Sequence, residues 1–71
     1  MNVEYLVKMA NQIAAFYVAE SASDAPKTIA AHLARFWDPR MRTALTKHNE
    51  LGGAGLNDAT RKAVALLSKN P

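Results

Sequence analysis

The residues that break helices divide this chain into short segments, and their spacing limits what it can fold into. Pro26 and Pro39 each interrupt a regular helix, because proline has no amide hydrogen to donate. Gly52-Gly53 supplies the left-handed backbone that commonly ends a helix. Between these breaks apolar residues recur at helical spacing, and no alternating run of β-branched residues indicates a strand. We therefore predict an all-α fold, a small compact bundle of about four short helices.

The predicted helices span residues 3–19, 25–37, 39–51 and 58–69 of a single domain, residues 1–71. Asp38 is placed to cap the third helix, with Pro39 at its first position, and Asn57 to cap the fourth. Ser23 or Asp24 can cap the second helix. The apolar stripes along one face of each predicted helix are Leu6, Met9, Ala10, Ile13, Phe16 and Tyr17; Ile29, Leu33, Phe36 and Trp37; Met41, Ala44, Leu45 and His48; and Ala59, Ala63, Leu66 and Leu67.

Few residues in the chain are suited to catalysis or metal binding. There is no cysteine, which excludes thiolate metal sites and thiol nucleophiles. His32 and His48 are far apart in the sequence, and His48 lies on an apolar stripe where a partly buried packing role is expected. Residues 52–55 follow a helix and lack the Gly-Lys-Ser/Thr ending of a P-loop. We predict a protein that is not an enzyme and has no catalytic residue, cofactor or metal of its own.

The positive charge of the chain is concentrated in its middle. The formal net charge is +3. Residues 27–47 hold five basic residues against one acidic residue, a net charge of +4. Such a block can bind nucleic acid or an acidic protein surface, and it can equally be a solvated face. The first residues lack the pattern of a signal peptide, and no stretch approaches the roughly 20 apolar residues that span a bilayer, so we expect a cytoplasmic protein without a membrane contact.

The segment 36–42 combines two aromatic residues with two arginines around the Asp-Pro corner. Aromatic residues and arginine dominate the hot spots of protein interfaces. One of Phe36 and Trp37 can serve the core while the other lies at the surface beside Arg40 and Arg42. The alternative is that both rings fill the core and the arginines are solvated.

Two neighbouring amides, Asn11 and Gln12, interrupt the otherwise apolar first helix. A buried amide must find hydrogen-bond partners. Helix ends of the same domain or the backbone of a partner protein could supply them.

Three stretches of the chain, in the same order, resemble the delta subunit of NAD-dependent formate dehydrogenase. They are residues 6–17, His32-Leu33 with residues 36–42, and residues 52–56, while residues 20–27 look like a variable linker. The resemblance implies a small accessory subunit of a cytoplasmic molybdenum or tungsten enzyme that oxidises formate to carbon dioxide and reduces NAD.

The resemblance also implies where the chemistry of such a complex is held. In that family the molybdopterin metal centre, the iron–sulfur clusters, FMN and NAD belong to the larger subunits, and the delta subunit helps to assemble or stabilise the complex. No catalytic residue carries over to this chain. Our hypothesis is that Phe36, Trp37, Arg40 and Arg42 contact a large subunit of formate dehydrogenase.

The main alternative is a small nucleic-acid-binding module that uses the basic segment 27–47. The second and third helices would then form a helix-turn-helix, with Arg40, Arg42 and Lys47 on phosphates. The Asp-Pro corner argues against it, because a helix-turn-helix has a turn of about three or four residues and Asp38 adds negative charge. A homodimer is a further alternative, in which isolated copies pair through the surface that the partner would otherwise cover.

Overall fold

The computed structural model describes residues 2–69 as four α-helices, and no strand occurs within that range. They are α1 (Val3–Glu20), α2 (Ala25–Phe36), α3 (Pro39–Glu50) and α4 (Asp58–Lys69). The Cα radius of gyration is 10.6 Å, close to the roughly 11 Å of a compact domain this size. The predicted all-α bundle is confirmed. Met1, Asn70 and Pro71, which the predicted domain includes, lie outside the described residues.

Short polar side chains begin three of the helices. Asn2 accepts a hydrogen bond from the amide of Glu4 at 2.8 Å at the start of α1. Asp38 accepts one from the amide of Met41 at 3.0 Å, with proline at the first position of α3 as predicted. Asn57 accepts from the Thr60 amide at 2.8 Å and from its hydroxyl at 2.6 Å, so the predicted cap of α4 is also present.

The start of α2 differs from the prediction that Ser23 or Asp24 caps it. Asp24 is the residue before the helix, but its backbone is already helical and its side chain makes no cap hydrogen bond. The missing side-chain cap costs little here, because Pro26 in the first turn has no amide hydrogen to satisfy.

A Schellman motif closes α3 at the two glycines. The Gly53 amide donates to the His48 carbonyl at 3.0 Å, and the Gly52 amide donates to the Asn49 carbonyl at 3.2 Å. Both glycines have positive φ, as expected from the sequence. A Cβ at position 53 would lie 2.9 Å from the Asn49 side-chain oxygen, so the backbone approaches α3 closely there.

The core forms where α4 lies against α2, with α1 packed on both of these helices and α3 packed on α4 and α1. The successive helices α2 and α3 make little contact with each other, because the corner between them directs α3 towards α1 and α4. The buried apolar residues are Leu6, Val7, Ala10, Ala14, Ala25, Ile29, Ala30, Leu33, Trp37, Leu45, Leu56, Ala63 and Val64. No helix in residues 2–69 is long and apolar enough to cross a membrane.

Two residues of the predicted apolar stripes, Phe16 and Phe36, are exposed, and for Phe36 this is one of the two arrangements that the sequence left open. Phe16 is 61% exposed because it lies two residues beyond the fully buried Ala14, a rotation of about 200° around the helix. Phe36 shares the buried side of α2 by spacing, but the helix ends at that residue. Trp37 then leaves the helix with an extended backbone and joins the core in its place.

Candidate protein-docking site

The corner between α2 and α3 is held by hydrogen bonds from both helices. The Trp37 amide donates to the Leu33 carbonyl at 3.1 Å, which continues the hydrogen-bonding pattern of α2 by one residue. The Asp38 cap begins α3 directly afterwards. Arg42 reaches back from α3, and its Nη1 donates to the carbonyl of Ala34 at 3.3 Å and to the carbonyl of Trp37. The guanidinium thus donates hydrogen bonds to carbonyl groups that have no amide partner within α2, because they lie at its end.

The four residues of the predicted interface therefore divide into two pairs. Trp37 is 5% exposed and belongs to the core. Arg42 is half-buried and bound to the end of α2. Phe36 and Arg40 are exposed, at the last position of α2 and the second position of α3. Only the second pair is open to a partner on this surface, and their contact with one stays a prediction.

Phe36 is one end of a continuous group of rings across α1 and α2. The ring centroids of Phe16 and Tyr17 are 5.2 Å apart, those of Tyr17 and His32 are 5.9 Å apart, and those of His32 and Phe36 are 4.8 Å apart. We call these four side chains the aromatic row. Its two middle members are half-buried, with the Tyr17 hydroxyl 3.4 Å from Nδ1 of His32, and its two ends are exposed.

Sequence reasoning missed the row because it placed Phe16 on the apolar stripe of the first helix and left open which of Phe36 and Trp37 lies at the surface. One signal was available, since His32 and Phe36 are four residues apart and share a face of α2. The pairing of that face with Phe16 and Tyr17 depends on how α1 and α2 cross, which no local pattern specifies.

Positive charge lies beside the exposed end of the row. The guanidinium carbon of Arg35 is 5.5 Å from the centroid of the Phe36 ring, within cation–π range. Among the side chains that the structure describes, neither Arg35 nor Arg40 has a carboxylate within ion-pair distance. An ion pair does form on α4, between Lys62 and Asp58. These two guanidinium groups are therefore available to an acidic group of another molecule.

The remaining polar candidates have structural roles in the segment before α4. Asn11 donates from Nδ2 to the Gly55 carbonyl at 2.8 Å and accepts from the Asn57 amide at 3.0 Å. His48 lies 2.7 Å through Nε2 from the Ala54 carbonyl. Because a carbonyl can only accept, Nε2 carries the hydrogen. The partly buried packing role expected for His48 agrees with this contact, and Asn11 finds the helix-end partners that its position required.

Residues 2–69 bring no cluster of metal-ligating side chains to these features. Among residues 2–69, no three His, Cys, Asp or Glu side chains are grouped to hold a metal ion. A surface groove bordered by Arg42, Lys47 and Glu50 has no histidine in its lining among those residues. What the described surface does offer is exposed aromatic area and unpaired cations.

Comparison with known proteins identifies the family. The model of the NADH-dependent formate dehydrogenase delta subunit FdsD matches residues 5–64, which include the corner and the whole aromatic row. No curated protein and no solved structure matches the chain. The matched range includes the stretches at 6–17, 36–42 and 52–56 on which the resemblance rested. The chain therefore belongs to the family of NADH-dependent formate dehydrogenase delta subunits.

Proposed function

We propose that this chain is a non-catalytic accessory subunit that helps to assemble or stabilise a cytoplasmic NAD-dependent formate dehydrogenase by docking on one of its large subunits. The family match over residues 5–64 is the observation that carries the proposal. The exposed aromatic and arginine side chains beside the corner support it, because they are the residue types of interface hot spots.

The cofactors of the complex are assigned to the partner subunits. Iron–sulfur clusters require cysteine thiolates, and this chain has no cysteine. Neither the described helices nor the loops between them group ligands for a metal ion. The molybdopterin metal centre, the iron–sulfur clusters, FMN and NAD therefore lie outside this chain in the proposal.

The four predicted interface residues take different parts in the proposed docking. Phe36 and Arg40 contact the large subunit directly, since both are exposed. Trp37 and Arg42 set the position of the corner, through the core and through the end of α2. Alanine at Trp37 therefore tests stability rather than docking, and Phe36 and Arg40 are the residues to vary.

The nucleic-acid alternative lacks the geometry of its usual motif. A helix-turn-helix packs its two helices on each other, whereas α2 and α3 make little mutual contact. Arg42, one of the three residues assigned to phosphates, already donates to two backbone carbonyls. Recovery of nucleic acid is retained as an outcome of the test.

The test is affinity capture of the tagged full chain from cells of its own source. We expect mass spectrometry to identify a large formate dehydrogenase subunit, and the eluate to reduce NAD in the presence of formate. Phe36→Ala and Arg40→Ala should lower the recovery while leaving the circular dichroism spectrum unchanged. Recovery of nucleic acid, or of this chain alone, would contradict the proposal.

A further inference from the structure

Most aromatic side chains of this domain lie outside its core. Among residues 2–69, Trp37 is the one aromatic residue that is buried, while Tyr5 and Phe36 are 63% and 65% exposed. Phe16 is exposed to a similar degree. An aromatic side chain can bury about 150–250 Å², so two such rings on one surface leave a large apolar area in water. Exposed patches of that kind mark binding surfaces.

The aromatic row is ordered before any partner arrives. Phe16 packs edge-on against Tyr17, with an angle of 79° between the ring planes. Tyr17 and His32 are half-buried and joined through their polar atoms, which fixes the middle of the row. Ordering costs at binding are small when side chains are already held in place. The row is therefore suited to a rigid contact.

Positive charge lies at one end of the row. Arg35 lies over Phe36 at one end and has no carboxylate partner in residues 2–69. A binding segment with its carboxylates at one end has a single favourable orientation on such a surface.

We propose that the aromatic row is the docking face for an amphipathic segment of the large formate dehydrogenase subunit, with apolar side chains on the rings and a carboxylate on Arg35. This inference rests on the proposed function and extends the docking surface from the corner to Phe16 on α1. A second copy of this chain fits less well, because each copy carries a net charge of +3.

The deciding variant is Phe16→Ala, because Phe16 lies outside the predicted corner. Its control is Leu51→Ala, which removes an apolar side chain that is 79% exposed. Leu51 belongs to a segment on the opposite side of α1 from Phe16. That segment runs from Leu51 to Gly55, Gly55 lies beside Val7, and Val7 is about 180° around α1 from Phe16. Both variants remove exposed apolar surface, so both should keep the melting temperature of the parent chain.

The readout is the amount of large subunit recovered for each tagged full-length chain, at low and at raised salt. Phe16→Ala should lower recovery about tenfold or more, as truncation of a hot spot does. Leu51→Ala should leave it unchanged. Arg35→Gln should weaken the salt dependence of this recovery. The control is Arg61→Gln, which removes one positive charge from α4 instead.

Each result has a separate meaning. Equal recovery with Phe16→Ala and Leu51→Ala overturns the inference and leaves the proposed function standing. If recovery depends equally on salt for Arg35→Gln and Arg61→Gln, the proposed contact between Arg35 and a carboxylate of the large subunit is wrong. A dimer in light scattering that Phe16→Ala abolishes assigns the row to a second copy and also overturns the proposal. If the parent chain recovers no large subunit, both the proposed function and this inference fail.

Discussion

Asn11 joins α1 to the segment before α4, and replacing it with alanine removes both of its hydrogen bonds. The bonds are 2.8 and 3.0 Å long and connect residues far apart in the sequence. At a net value of about 1 kcal/mol each, their loss costs about 2 kcal/mol. Alanine returns up to about 0.5 kcal/mol through its higher helix propensity. We expect Asn11→Ala to lower the free energy of unfolding by about 1.5 kcal/mol, out of a total of roughly 4–10 kcal/mol.

The assay is thermal unfolding followed by circular dichroism, with Gln12→Ala as the control. Gln12 is the neighbouring amide, but its side chain is exposed and makes no hydrogen bond in residues 2–69. For a domain of this size, a loss of 1.5 kcal/mol corresponds to a melting temperature lower by roughly 6–12 °C. Gln12→Ala should change it by less than about 4 °C. Equal melting temperatures for the two variants would refute the assignment of stability to the Asn11 contacts.

Two further changes test the corner. Trp37→Ala should cost about 3–5 kcal/mol, because it empties the largest buried side chain from a small core. Denaturant unfolding of this variant should therefore show little or no folded baseline, and a variant as stable as the parent would contradict the buried indole. Asp38→Ala removes the cap of α3 and should cost about 1 kcal/mol, whereas Asp24→Ala removes no cap bond. Equal midpoints for the two aspartate variants in a urea titration would count against the cap.

The helices could be predicted from the sequence because their ends are set locally. A proline after Asp38 and a glycine pair after Leu51 determine the backbone within a few residues, whatever the rest of the chain does. The helices end within one residue of the prediction for the same reason.

The aromatic residues could not be placed by the same reasoning. Spacing along one helix says which residues share a face, but not which face the other helices cover. Phe36 has the spacing of Ile29 and Leu33, yet α2 ends at Phe36 and the next residue fills the core instead. Thr60 was not predicted for the core because its side chain is polar. It is fully buried, and its hydroxyl avoids an unsatisfied hydrogen bond by donating to Asn57.

The composition of the core explains why rings are left outside it. Among residues 2–69, five of the thirteen buried apolar residues are alanines, namely Ala10, Ala14, Ala25, Ala30 and Ala63. Small side chains at helix contacts bring the helix axes close together, which leaves little volume for rings between them. Such a core buries little apolar area in each residue, so the domain alone is modestly stable. Further apolar area lies in the exposed rings, and the proposed docking would bury it. Under the proposed docking, the same exposed aromatic residues would serve both binding and stability, because the small core leaves most of them at the surface.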